Sequence, residues 1–223
     1  MDNTDATKLY AKRFIPLESD PLVLNDLMYG LGVSGCLTLT DVWSIDDALQ
    51  LSTISRPVYA LILVLPTCEE YERHRRSNRG SSENTEDLKG EEIVWIQQTI
   101  DMACGLYAIL HATCNSATSN FIVPNSLLGK LVASSNGERE ALLESSTDVE
   151  EIYRKAALRG HTAPPPPEEE VDLHYVCFIK SPNGSVYEMD GDAIGPVKTD
   201  VMLRDDQDLL ESSALECSPC ACT

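Results

Sequence analysis

The stretch Glu92-Ile-Val-Trp-Ile-Gln-Gln-Thr-Ile-Asp-Met-Ala-Cys-Gly105 changes its periodicity half-way along. Ile93 to Ile96 is a short apolar run rich in β-branched residues and predicts a buried strand. A polar turn follows, and from Cys104 to Cys114 the residues Leu106, Ile109 and Leu110 recur at helical spacing. Cys104 therefore opens a helix, where unpaired backbone N–H groups and the helix dipole favour a thiolate. Gly105, without a side chain, would let a bound backbone approach. Gln98, on the near side of the turn, could aim its amide N–H at the same point as the Cys104 backbone N–H, giving two donors for an oxyanion. A free cysteine in an apolar segment is more often a small core residue. A catalytic reading therefore needs a base and an orienting group from elsewhere in the chain.

Upstream, Asp20-Pro21 is a helix start, with Leu24, Leu27, Met28 and Leu31 as one apolar stripe and Gly30 and Gly32 at its end. Leu37 to Thr40 alternates like a short edge strand, and Ser44 to Asp47 resembles a capping box for a short helix carrying Ile45, Ala48 and Leu49. Val58 to Leu65 is apolar on both faces and reads as a central strand closed by Pro66. From Glu69 to Glu91 charge dominates, which predicts a solvated linker whose start continues as helix.

Downstream, short helices are expected at Ser126 to Val132 and Val149 to Leu158. Ala133 to Glu170 as a whole is polar and ends in Pro164-Pro-Pro-Pro167, an extended run that cannot join a sheet. It reads as a long connection that leaves the core and returns. Val171 to Lys180 and Ser185 to Asp190 form a hairpin about Pro182-Asn-Gly184. Beyond Gly191 the sequence turns acidic and loop-like, with a helix expected at Asp205 to Leu215 and an aperiodic tail, Glu216 to Thr223.

Composition narrows the functional classes. The chain has 223 residues, enough for one sizeable core with a tail. Its longest apolar run, Val58 to Leu65, is too short to span a bilayer, and Met1 to Thr7 has no apolar leader. Eight cysteines, mostly scattered inside apolar segments, suit a reducing compartment, so a cytoplasmic protein that also reaches the nucleus is expected. A net charge of −19 disfavours nucleic acid and anionic membrane, and would steer a basic protein partner. The terminal Cys217-x-x-Cys-x-Cys is a weak zinc signal, so neither metal nor cofactor is expected. A monomer is expected.

Four histidines compete to serve Cys104. His111 lies two turns along the same helix, about 10 Å away. His74 falls in the charged linker and His161 in the long connection, neither a rigid mount. His174 sits inside a strand and can pass beside the helix start. The hairpin arithmetic brings both Asp190 and Asp192 into range of His174 and does not choose between them.

These residues also carry a resemblance. Trp95-Ile-Gln-Gln-Thr-Ile-Asp-Met-Ala-Cys-Gly105 resembles the active-site signature of the ubiquitin carboxyl-terminal hydrolases, which are papain-like cysteine peptidases. Val171-Asp-Leu-His174 is similar to their histidine motif, and Tyr187-Glu-Met-Asp-Gly191 to their aspartate motif, which selects Asp190. Phe14 to Pro21 and Arg56 to Pro66 are similar to the family's entry segment and to the strand before its linker. The resemblance implies an α+β fold: a central antiparallel sheet flanked by helices on both sides, threaded as a knot. It implies Cys104 as nucleophile, His174 as general base and acid, Asp190 as orienter and Gln98 in the oxyanion hole, with Leu17, Glu18 and Leu173 touching the substrate. Ubiquitin, or a ubiquitin-like modifier, carrying a small or unfolded C-terminal adduct would be the partner. Residues 1–203 would form the catalytic domain and 204–223 a divergent tail. Two departures stand out. Met102 replaces a usual asparagine, read as the loss of one polar contact, and the final family strand has no counterpart in the tail. The competing reading is a weakly catalytic ubiquitin-binding protein, disabled by that short end.

Overall fold

The computed structural model describes residues 10, 12–78, 93–163, 165, 166, 169 and 171–211. Its elements run β1 (Lys12–Arg13), α1 (Pro21–Leu31), α2 (Ala48–Ser52), β2 (Ala60–Pro66), α3 (Glu69–Asn78), β3 (Ile100–Asp101) and α4 (Cys104–Cys114). After a 3-10 turn, Ser116–Phe121, come α5 (Leu127–Ala133), α6 (Glu138–Ser145), α7 (Thr147–Ala157), β4 (Leu173–Lys180), β5 (Ser185–Met189) and β6 (Val197–Met202). The sheet is antiparallel in the order β2-β4-β5-β6, and β1 pairs with β3 in parallel beside it. This is the expected α+β architecture.

Alternation along the strands explains the two layers. Ala60, Ile62 and Val64 of β2, with Tyr175, Cys177 and Ile179 of β4, face the main core of α1, α4 and α7. Leu61, Leu63 and Leu65, with Val176 and Phe178, face the other way, against Tyr71 of α3 and Leu203 and Leu209. Helix α4 is apolar all round and buried from Gly105 to Cys114, so it is a core helix against which the sheet is laid. A cavity left by Leu110→Ala would cost about 2–5 kcal/mol.

Several expectations need correction. Strand β2 was expected at the centre, but it is an edge among the described residues. Both its faces are covered by the two layers, and face burial says nothing about pairing at the edge. Residues 93–96 are extended yet join no strand: Val94 exchanges two 2.8 Å hydrogen bonds with the Asn115 side chain, and the Ile96 N–H donates to His111 Nε2. Residues 37–40 form no strand either, because the Asn25 amide takes the N–H and C=O of Leu39. The second helix begins later than read, at Ala48, capped by Asp47.

In the stretch read as polar connection, α6 was missed. Its capping is local, with Glu140 reaching back to the Gly137 N–H at 2.7 Å, while Leu143 is buried. The crossing from α7 to β4 is therefore shorter than read, from 158 to 172. Strand β6 was also missed, its alternation hidden by flanking acids. Residues 205–211 are turns rather than helix, and Leu209 and Leu210 are buried, so a boundary after 203 falls inside a packed segment. The rest of the charged linker, 79–92, and the tail, 212–223, lie outside the described residues.

Candidate active site

Cys104 is the first residue of α4, half-buried, with Ala103 as an N-cap that offers no side-chain hydrogen bond. The orphan N–H groups of the first turn are thus not consumed by a cap. Strand β4 carries His174 beside it, near enough for Cys104 to act on the imidazole. The β4–β5 ladder ends at the pair Cys177 and Met189, which releases the next residue, Asp190, to turn toward His174. His174 Nε2 lies 2.9 Å from Asp190 Oδ1, leaving Nδ1 for the thiol. Both side chains are almost wholly buried.

Asp190 is itself held from four sides. Its carboxylate also accepts from the Asp192 N–H at 2.8 Å and the Tyr71 hydroxyl at 2.8 Å, and its carbonyl accepts from Trp95 Nε1 at 3.1 Å. Asp192 points away, toward the Tyr10 hydroxyl and the Arg75 guanidinium. Burial alone would lower the His174 pKa, but the hydrogen bond to Asp190 and the influence of Asp190 and Cys104 beside it outweigh burial and raise it. Burial would likewise raise Asp190, yet the His174 bond and charge, with the Asp192 N–H and Tyr71, hold it below the usual carboxylate range. Tyr71 is pushed well above its ordinary value by burial and then by Asp190, so it stays a donor.

Tyr71 and Trp95 were missed as site residues. The signal for Tyr71 was there: a lone aromatic in a helix of charges, Glu69–Asn78, has only a core or a site to serve.

Gln98 is buried, its N–H tied to the Gly191 carbonyl at 2.7 Å, and its side-chain oxygen has no hydrogen-bond partner among the described residues. An unpaired buried amide oxygen costs about 1–3 kcal/mol. Met102 lies at φ 58°, so the residue two before Cys104 must adopt a left-handed conformation. That corrects the reading of its replacement: asparagine suits this backbone better than methionine, whatever its side chain touches.

The expected substrate contacts separate. Leu173 is half exposed at the start of β4. Leu17 is buried, its side chain 3.1 Å from where a Cβ on Gly105 would stand. Gly105 is thus small to admit Leu17, not a bound backbone. Glu18 Oε2 is taken up by His161 and Thr162. With Asp20 and His161, Glu18 forms a group whose ligand atoms lie within 4.8 Å of one another, the arrangement among the described residues nearest to a metal site. That Glu18 oxygen already has three donors.

A thiol opening a core helix, an imidazole on the adjoining strand and an acid beyond the next strand define a cysteine-hydrolase centre of the papain type. Residues 14–218 match the model of ubiquitin carboxyl-terminal hydrolase, family 1. Ubiquitin carboxyl-terminal hydrolase 3 of Arabidopsis thaliana is 30% identical over 192 residues, covering 84% of this chain and 79% of that one. The ubiquitin carboxyl-terminal hydrolase of Drosophila melanogaster is 32% identical over 185 residues, covering 82% and 80%. The crystal structure of the Trichinella spiralis UCH37 catalytic domain, bound to ubiquitin vinyl methyl ester, shares the fold with a TM-score of 0.68 at 19% identity, over 91% of this chain and 85% of that one. The chain belongs to family 1 of the ubiquitin carboxyl-terminal hydrolases and is by class a deubiquitinating thiol peptidase.

Proposed function

We propose that the chain hydrolyses bonds made to the C-terminal glycine of ubiquitin, with Cys104 as nucleophile. The observation that carries this is the buried His174–Asp190 pair at 2.9 Å, set beside Cys104 at the start of α4. The Cys104 sulfur attacks the glycine carbonyl carbon, and the oxygen becomes an oxyanion held by the Cys104 N–H and the Gln98 amide. Protonated His174 gives its proton to the leaving nitrogen or oxygen as that bond breaks, leaving a thioester. Water then attacks the thioester carbonyl, its proton passes to His174, and the thiolate departs. Asp190 fixes the imidazole orientation throughout.

The crossing between α7 and β4 supports a preference for small or unfolded leaving groups, because it joins the helix layer to the strand that bears His174. The acidic surface favours a partner whose tail is basic. The test is ubiquitin bearing a C-terminal electrophile. Peptide mapping should find the adduct on Cys104, and Cys104→Ala should bind ubiquitin without being labelled. An adduct on another cysteine, or unchanged labelling of Cys104→Ala, would sink the assignment.

A further inference from the structure

The chain that leads to the nucleophile is extended, yet its amides are shared out among separate elements. The Ile96 N–H goes to His111 of α4, the Gln97 N–H to Glu140 Oε1 of α6 at 3.3 Å, and the Gln98 N–H to the Gly191 carbonyl at 2.7 Å. The Thr99 N–H donates to the Tyr107 hydroxyl of α4 at 3.0 Å, and the Thr99 hydroxyl lies 3.2 Å from the same oxygen. Tyr107 thus holds Thr99 by main chain and side chain at once. A phenol oxygen can accept from the amide and give its own proton to the threonine, so the two bonds are compatible. Tyr107 is 1% exposed, and burial raises its pKa, so it keeps that proton.

This clasp sits between the nucleophile and the oxyanion donor. Tyr107 stands three residues after Cys104 on α4, so the two side chains are neighbours one turn apart. Thr99 follows Gln98 directly. The helix that presents the thiol therefore also fixes the chain that presents the amide. Gly191 closes the arrangement from the other side: a Cβ there would stand 3.1 Å from the Gln98 Cβ and 3.2 Å from the Tyr107 Cβ. The Gln98 side-chain oxygen, by contrast, lacks a hydrogen-bond partner among the described residues, so the main chain beneath it sets its aim.

We propose that Tyr107 is a positioning residue for the oxyanion hole: by clasping Thr99 it fixes where the Gln98 amide stands relative to Cys104. The proposal rests on the peptidase reading above, in which Gln98 donates to the oxyanion. Tyr107 itself touches no reacting atom. Its effect is felt in the transition state, where the oxyanion exists, and not in binding of the ubiquitin tail.

The experiment is a double-mutant cycle on the full chain, read as steady-state rates on ubiquitin carrying a small fluorogenic amide. Tyr107→Phe keeps the ring and removes the hydroxyl. It should lower kcat about tenfold and leave KM unchanged. The same substitution made in Gln98→Ala should change kcat by less than about twofold, because no donor is left to position. A merely structural tyrosine would cost the same factor in both backgrounds. Thr99→Val loses the hydroxyl half of the clasp and keeps the amide half. It should show a smaller loss with the same dependence on Gln98, and it carries the test if Tyr107→Phe does not fold. Wild-type kcat in both variants, a loss confined to KM, or equal factors with and without Gln98 overturns the proposal. If Gln98→Ala alone leaves kcat unchanged, the oxyanion assignment falls and the proposal with it. If the wild type shows no Cys104-dependent hydrolysis, the peptidase reading falls and takes the proposal down, a case recognised before any clasp variant is compared.

Discussion

Met102, at φ 58°, shows what one residue can hide. A left-handed backbone costs a side chain with a Cβ about 1–2 kcal/mol, and asparagine recovers part of it through local hydrogen bonding. Met102→Asn should therefore raise stability by about 1 kcal/mol, seen as a higher urea midpoint with unchanged slope; a lower midpoint would show that packing of the methionine outweighs the backbone. Asp190 allows a second test, with a defined sign. His174 has a raised folded pKa, so its stabilisation is complete below about 6.5 and is lost as pH rises through the folded value. Asp190→Asn removes the charge and leaves the burial, so the His174 titration midpoint, followed by NMR, should fall and kcat should drop about a hundredfold or more. Asp192→Asn should leave that midpoint in place, because its carboxylate faces Tyr10 and Arg75; an equal fall would overturn the choice of acid. Cys104, His174 and Gln98 were legible in sequence as residue types on suitable elements. Hairpin arithmetic left the acid open, since it fixes a register to within two residues but not which carboxylate turns inward, and Asp190 was selected only by the motif Tyr187 to Gly191.

At the scale of elements, the strands expected at 37–40 and 93–96, which do not form, have one physical cause. An asparagine side chain carries the same donor and acceptor as a peptide group, so Asn25 and Asn115 each stand in for a strand neighbour. Apolar alternation predicts extension correctly and cannot say what will pair with it. His111 completes the second clasp, buried and bonded to the Ile96 N–H, with burial pushing its pKa down to about 4. A group depressed on folding stabilises above its unfolded pKa, and that stability is lost as pH falls toward the folded one. Acidification from about 6.5 to about 4 should therefore cost about 3 kcal/mol through this residue. Urea midpoints at neutral and acid pH should show a flatter dependence in His111→Gln, which keeps an acceptor and cannot titrate. Parallel slopes for the two proteins would exclude His111 as the source. Helix α3 was expected as helix but not as part of the site, because its charges look like solvated linker while Tyr71 reaches Asp190 and Arg75 reaches Asp192.

For the whole molecule, the layers were legible because hydrophobic periodicity encodes faces, whereas the strand order was not, because edges carry no such code. That order, β2-β4-β5-β6, also bears on how the chain is made. Cys104 is translated 70 residues before His174, and Asp190 16 residues later still. At roughly 5–20 residues per second, a ribosome spends several seconds with the thiol synthesised and no imidazole to activate it. Throughout that interval β2, apolar on both faces, lacks β4 to pair with and the later part of the second layer, Val176, Phe178, Leu203 and Leu209, to cover it. The nascent chain thus carries an uncovered apolar strand until its last third emerges, and that same third completes both the sheet and the proposed active site.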